Sequence, residues 1–363
     1  MSIVIETLQE KQSQEYEELL RSIDTSLLYA SFKYRLFLER TLLHSEPVYL
    51  VARENGNLIG ALPTFIYFNA KYGNILNSLP FYGSNGGILV SPRLKEPRTV
   101  QLALLDAFHE LAKEKKTLVS TLITNPLEND TDFYETHFHF TLRDERIGQI
   151  TPLPKEWQNQ EDLCQKLMDG FHQKTRNSIR KAQKSDLVIY HSDSVECLQK
   201  LADLHRQNID AIGGRAKPWA IFAAIHSTFT YDQDYRVYVA EKDGQIVAAL
   251  LVFYFNKTVE YFTPAALETY RVYQPLSLLV YEAMQEAARR SCRFWNWGGT
   301  WLTQNGVYHF KSRWGTRDKR YFYYIREYNQ PSPLRLPSAQ KILEEYPYFY
   351  VLPFTVLQNE SDT

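Results

Sequence analysis

The stretch GVYHFKSRWG, residues 306–315, sets a lysine and an arginine two positions apart among aromatic side chains, with a glycine at each end. If Gly306 to Arg313 is extended, Val307, His309, Lys311 and Arg313 point to one face and Tyr308, Phe310 and Ser312 to the other. Lys311 and Arg313 then face one anion together, or one carbonyl oxygen as it gains negative charge. The alternative is the polar outer face of an edge strand, where lysine is common.

A second basic segment, FHQKTRNSIRKAQK, carries Lys174, Arg176, Arg180, Lys181 and Lys184 without an acidic residue. On a helix, Arg176, Arg180 and Lys184 fall at i, i+4 and i+8, where like charges repel by a few tenths of a kcal/mol per pair. An anion opposite them would relieve that repulsion; a solvated helix face is the other reading. The nine histidines are scattered, and the one close pair, His137 and His139, could share a strand face but lacks a third metal ligand. No metal site is expected. The simplest hydrolase, nucleotide-hydrolase and dinucleotide-binding readings fall away, since no G-x-S-x-G, P-loop or complete G-x-G-x-x-G occurs.

The elements that must position these groups come from a duplication. YLVARENGNLIGALPTFIYF (49–68) overlays VYVAEKDGQIVAALLVFYF (237–255), with Gly56 on Gly244, Val51 on Val239, Ala61 on Ala249 and Phe65 on Phe253. Each copy reads as two strands joined by a two-residue Asn-Gly or Asp-Gly turn. Downstream, LLDAFHELAK (104–113) matches VYEAMQEAAR (280–289) at helical spacing, and strand-like runs follow at 118–124 and 293–299. The proline-bearing TPLPKEWQNQEDL (151–163) separates the copies, and an aromatic tail, EYPYFYVLPFTVL, follows NQPSPLRLPS. Docking of the tail on the body is expected, with a membrane-surface or partner contact as the alternative.

Composition sets outer bounds. With 363 residues, 44% hydrophobic and 23% charged, the chain is globular and large enough for two domains. A net charge of −1 gives no global pull toward polyanions, so DNA is not an expected partner and any anion must be met locally. Aromatics at 14%, including 25 tyrosines, suit a lined groove. Three dispersed cysteines fit a reducing compartment. The N-terminus does not read as a signal peptide, and the longest apolar run, 246–255, is too short to span a bilayer. A cytoplasmic protein without a transmembrane segment is expected.

K-T-R-N-S-I-R-K-A (174–182), the repeated hairpin–helix unit and the late G-V-Y-H-F-K-S-R-W-G together resemble the Fem-type branch of the GNAT superfamily. Members of that branch include aminoacyl-tRNA-dependent transferases of peptidoglycan cross-bridges and relatives in polysaccharide clusters. The resemblance covers nearly the whole chain. It implies an α/β chain of mixed α+β sheets, with two tandem GNAT-like domains packed side by side at 1–155 and 156–330 and the tail at 331–363.

The activity so implied is an amide-forming acyltransferase that moves an acyl or aminoacyl group to a primary amine without a covalent enzyme intermediate. The acceptor would be an anionic small molecule or a lipid-linked precursor, and no cofactor is tightly bound. The donor would be aminoacyl-tRNA, engaging the acceptor stem, or acyl-CoA. By the same resemblance, Lys311 stabilises the acyl carbonyl as it becomes tetrahedral, Lys33 and Arg215 meet substrate phosphate, and Tyr82 in SLPFYGSNGG borders the acceptor cleft. Arg176, Arg180 and Arg313 complete the expected substrate contacts.

Two departures qualify the resemblance. Asn125-Pro126 replaces an Asp-Pro, removing a carboxylate that would help the amine. R-V-Y-Q-P-L (271–276) replaces the glycine-rich turn that cradles the coenzyme A pyrophosphate, leaving Arg271 and Gln274 as the expected donor contacts. An acyl-CoA-dependent N-acetyltransferase and a non-catalytic polyanion-binding module are the alternatives.

Overall fold

A computed structural model describes residues 3–81, 85–300 and 305–357. The chain divides into two compact units, Met1–Arg146 with Arg320–Thr363, and Ile147–Lys319.

The first unit contains β1 (Val4–Thr7), α1 (Ser13–Ser22), α2 (Phe32–Thr41), β2 (Ser45–Pro47), β3 (Leu50–Glu54), β4 (Asn57–Leu62), β5 (Phe65–Tyr67), β6 (Asn74–Asn77), β7 (Leu89–Val90), α3 (Pro97–Glu114), β8 (Thr117–Ile123) and α4 (Thr131–His137). β9 (Leu142–Pro152) leads out of it. The second unit holds α5 (Gln160–Gly170), α6 (Gln173–Gln183), β10 (Val188–His191), α7 (Val195–Asp210), α8 (Trp219–Thr228), β11 (Tyr235–Lys242), β12 (Gln245–Phe255), β13 (Thr258–Ala266), α9 (Pro275–Arg289), β14 (Phe294–Thr300) and α10 (Asn305–Ser312). β15 (Arg317–Glu327) returns the chain to the first unit, which ends in α11 (Ala339–Glu345).

The duplication is physical. Both hairpins turn through two residues with positive φ, Asn55 and Gly56 at 51° and 83°, Asp243 and Gly244 at 53° and 73°. Both carry a register shift at the equivalent place, between Ala52 and Arg53 and between Ala240 and Glu241. Each unit also pairs two strands in parallel across a long helix, β6 with β8 around α3 and β13 with β14 around α9. A parallel pair requires such a crossover, because its strands start at the same end of the sheet. α3 and α9 each bury one face: Val100, Leu104, Leu105, Phe108 and Ala112 in the first core, and Leu279, Ala283, Met284, Ala287 and Ala288 in the second.

Chain order differs from the expected 155/330 division because the end of β15 pairs with β8, Tyr323 opposite Ile123, and the tail packs onto the same unit. Tyr346 and Phe349 stack on Tyr67 at 5.4 and 5.0 Å between ring centroids. The Tyr346 hydroxyl donates to the Gly73 carbonyl at 2.7 Å, and the Phe81 amide donates to the Tyr348 carbonyl at 2.7 Å. No helix among the described residues is long and apolar enough to cross a membrane.

Candidate active site

GVYHFKSRWG is helical as far as Ser312 and then turns. Lys311, on α10, and Trp314 just beyond it are buried three positions apart, while Tyr308, one turn before Lys311, is half-buried and its hydroxyl donates to Asp318 at 2.6 Å. That spacing belongs to a helix, where successive residues rotate by about 100°, and not to a strand. The expectation that Lys311 and Arg313 share a strand face is therefore corrected. Lys311 is buried at 7% exposure, while the Arg313 side chain is exposed. What Arg313 contributes is its carbonyl, which accepts from the His172 amide at 2.9 Å and the Thr175 hydroxyl at 3.1 Å at the start of α6.

The Lys311 ammonium donates to the Gly299 carbonyl at 3.1 Å and to Thr300 Oγ1 at 3.0 Å, both at the end of β14. Thr300 Oγ1 donates onward to Gln149 Oε1 at 3.0 Å, and Gln149 Nε2 donates to the Tyr308 carbonyl at 3.2 Å. Among the described residues two of the three ammonium protons are thus directed, leaving one donor for an incoming oxygen. Burial pushes the lysine down to about 8. Around it, Trp297 lies 6.0 Å from Phe310 and 5.6 Å from Trp314, and Phe171 lies 5.1 Å from Trp314. Gly315, at φ 71°, ends the motif. A Cβ there would stand 2.4 Å from the Gly170 carbonyl oxygen, so glycine lets the two segments touch.

The sequence reading did not single out Glu260 and Asn296. β13 and β14 pair only through Thr258–Glu260 and Phe294–Asn296; beyond that point β13 stays on β12 while β14 stays on β9. At the last paired position, Asn296 Nδ2 donates to Glu260 Oε2 at 2.8 Å, and Asn296 Oδ1 accepts from the Gly298 amide at 2.9 Å. Glu260 and Lys311 are the only carboxylate and the only lysine among the buried residues of this unit that the structure describes. The available signal was one carboxylate inside an otherwise apolar strand.

The remaining expected contacts fall on other elements. α6 forms as expected, but Arg176 turns its Nη1 onto the carbonyls of Phe171 at 2.5 Å and Met168 at 3.5 Å, satisfying the end of α5. Arg180 is exposed, and Lys184 falls one residue beyond the helix. Lys33 is half-buried in the first turn of α2, and Arg215 is exposed in the segment after α7. Tyr82 lies outside the described residues. Arg271 is exposed, and Gln274 adopts φ 59° as the residue before α9, its side chain donating to the Arg271 carbonyl at 2.9 Å. His137 ends α4 and His139 follows it at φ 53°, so the pair shares no strand face. No metal-binding group occurs among the described residues.

In the first unit, Asn125 Nδ2 donates to the Thr25 carbonyl at 2.8 Å. The Thr25 hydroxyl donates to Glu128 Oε1 at 2.9 Å, and burial pushes that carboxyl up to about 7. A carboxylate is therefore present three residues beyond the position where Asn125 lacks one.

Residues 170–312 match the family model described as an acetyltransferase (GNAT) domain. Nothing among curated proteins matches the chain. Among solved structures, FemX superposes with a TM-score of 0.71 at 16% identity, covering 91% of this chain and 98% of that one. A tandem GNAT protein from the clavulanic acid biosynthesis pathway gives 0.53 at 13% identity, covering 90% and 98%. L-PGS from Bacillus licheniformis gives 0.55 at 12% identity, covering 95% and 98%. The chain is an acyltransferase with a GNAT domain at residues 170–312, and its fold is similar to those of FemX and the tandem GNAT protein.

Proposed function

We propose that this GNAT acyltransferase moves an aminoacyl or acyl group onto a primary amine of a nucleotide- or lipid-linked cell-envelope precursor, with Lys311 meeting the oxyanion. The observation that carries the reading is the Lys311 ammonium, buried, fixed by Gly299 and Thr300, and left with one proton to donate. A donor held in place before reaction stabilises developing charge without reorganising, which is where most of such catalysis arises. The reaction then needs little beyond positioning the amine against the carbonyl.

The turn before α9 favours a donor carrier other than coenzyme A. The Gln274 amide is used by the Arg271 carbonyl, Pro275 has no amide proton, and the Ser277 amide is used by the Gln274 carbonyl. That leaves the Leu276 amide for a pyrophosphate, where a phosphate cradle needs several converging amides. Aminoacyl-tRNA fits this better, and Lys33, Arg180 and Arg215 are then the basic residues assigned to acceptor phosphate.

The test is calorimetric titration of the protein with acetyl-CoA and with an aminoacyl-tRNA minihelix, followed by single-turnover transfer to UDP-linked amino sugars. Minihelix binding that weakens steeply with salt, together with amide formation, is the expected result. Binding and turnover of acetyl-CoA alone would instead make the chain an N-acetyltransferase.

A further inference from the structure

We infer that Asn208, helped by Pro264, closes the outer edge of β13 to any donor carried on an extended amide-bearing arm, coenzyme A among them. This rests on the acyl-transfer reading above and names the residues that select the donor within it. β13 and β14 pair in parallel as far as Glu260 and Asn296; beyond that point β14 follows β9, and β13 keeps β12 as its strand partner. One edge of β13 is thus without a neighbouring strand as far as Ala266. Such an edge is a template on which an extended chain adds itself as another strand, through alternating N–H and C=O groups.

Register fixes which backbone groups face outward. The Leu267 amide donates to the Val247 carbonyl at 2.8 Å. Direction alternates along an antiparallel pair, so Ala265, opposite Ala249, also bonds β12, and the backbone groups of Pro264 and Ala266 face away from it. Both outward positions are closed. Pro264 has no N–H to offer. At Ala266, the amide donates to Asn208 Oδ1 at 3.0 Å, and Asn208 Nδ2 donates to the carbonyl at 2.9 Å. A side-chain amide carries the same donor and acceptor as a peptide, so one asparagine takes the place of a strand residue. Asn208 lies in the last turn of α7, and His205 one turn earlier holds that end of the helix. Its Nε2 accepts from the Lys217 amide at 3.2 Å, and its ring packs on Phe222 at 6.1 Å between centroids.

The closed positions lie where a coenzyme A arm has to pass. α9 follows β13 through the short helical turn at 268–273, and the Lys311 ammonium reaches the end of β14. A carrier with its pyrophosphate at the start of α9 and its thioester at Lys311 runs along the gap between these strands. The pair of amides in its arm then meets Pro264 and Ala266 and finds no N–H to bond. An aminoacyl ester on a ribose brings no such arm and needs nothing from this edge.

The decisive experiment titrates wild type, Asn208→Ala and Pro264→Ala calorimetrically with coenzyme A and with adenosine bisphosphate, which lacks the arm. Single-turnover transfer from acetyl-CoA and from an aminoacyl-tRNA minihelix is measured alongside. Asn208→Ala frees a donor and an acceptor and should tighten coenzyme A about 10-fold or more; Pro264→Ala adds one donor and should tighten it about 3-fold. Adenosine bisphosphate should bind all three proteins alike. Coenzyme A affinity within about twofold of wild type in a folded Asn208→Ala, or a gain that adenosine bisphosphate shares, overturns the inference and leaves the transfer reading standing. Micromolar binding and turnover of acetyl-CoA by wild type also overturns it. Failure of wild type to transfer from either donor overturns the transfer reading instead, and the coenzyme A titration still decides whether Asn208 closes the edge. If Asn208→Ala loses its Tm, Pro264→Ala, which leaves α7 untouched, decides by the presence or absence of its own gain.

Discussion

The Lys311 ammonium stands 3.0 Å from the Thr300 hydroxyl, and that hydroxyl donates in turn to Gln149. One side chain therefore aims the lysine, and a relay of three residues ties α10 to the ends of β14 and β9. Thr300→Val keeps the volume and removes the acceptor. kcat should fall about 10-fold with KM little changed, against about 10²-fold or more for Lys311→Ala, measured by single-turnover transfer.

The depressed Lys311 value has two opposite consequences with pH. Above about pH 8 the amine loses its charge and its oxyanion-stabilising power, so kcat should decline with a single ionisation. Stability moves the other way. The folded value lies below that of the unfolded chain, so the cost of burying the charge is present below about pH 8 and fades as pH rises toward the ordinary lysine range. Lys311→Met should flatten that part of the stability–pH curve, as measured by urea unfolding between pH 7 and 10.

Gly315 and Gly306 frame the same motif but answer to different constraints. Gly315→Ala places a methyl 2.4 Å from the Gly170 carbonyl oxygen at a left-handed φ, and should cost about 2–4 kcal/mol while lowering kcat by displacing the end of α10. Gly306 has open space around its would-be Cβ and lies in the helix, so Gly306→Ala should be neutral or stabilising by up to about 1 kcal/mol. Thermal unfolding of the two variants side by side checks both.

Arg176 and Arg180 are one turn apart on α6 yet should separate cleanly. Arg176→Ala leaves the end of α5 without its donor, so Tm should drop by a few degrees, the effect of losing about 1 kcal/mol of capping, with acceptor KM unchanged. Arg180→Ala should leave Tm alone and raise KM for a phosphate-bearing acceptor. A KM increase in Arg176→Ala at constant Tm would return that residue to the binding surface.

What could be read along the chain is what is local. The Asn55-Gly56 and Asp243-Gly244 turns, the apolar stripes of α3 and α9 and the basic run of α6 depend on residues within a few positions of each other, and each forms where the pattern places it. Lys311 was legible as a candidate, but its surroundings were not. Seven residues with mixed polarity fit a strand as well as a helix, and only packing of Lys311 and Trp314 decides for the helix.

The partnership of Glu260 with Asn296 lay beyond the sequence altogether. Thirty-six positions separate them, and they meet only because α9 crosses over to lay β14 parallel to β13. The sequence by itself determined the duplicated hairpin and helix, since backbone conformation and apolar period are set by near neighbours. The tertiary structure alone decided which charges are buried and which faces they reach, because burial and strand pairing depend on what long-range topology brings alongside.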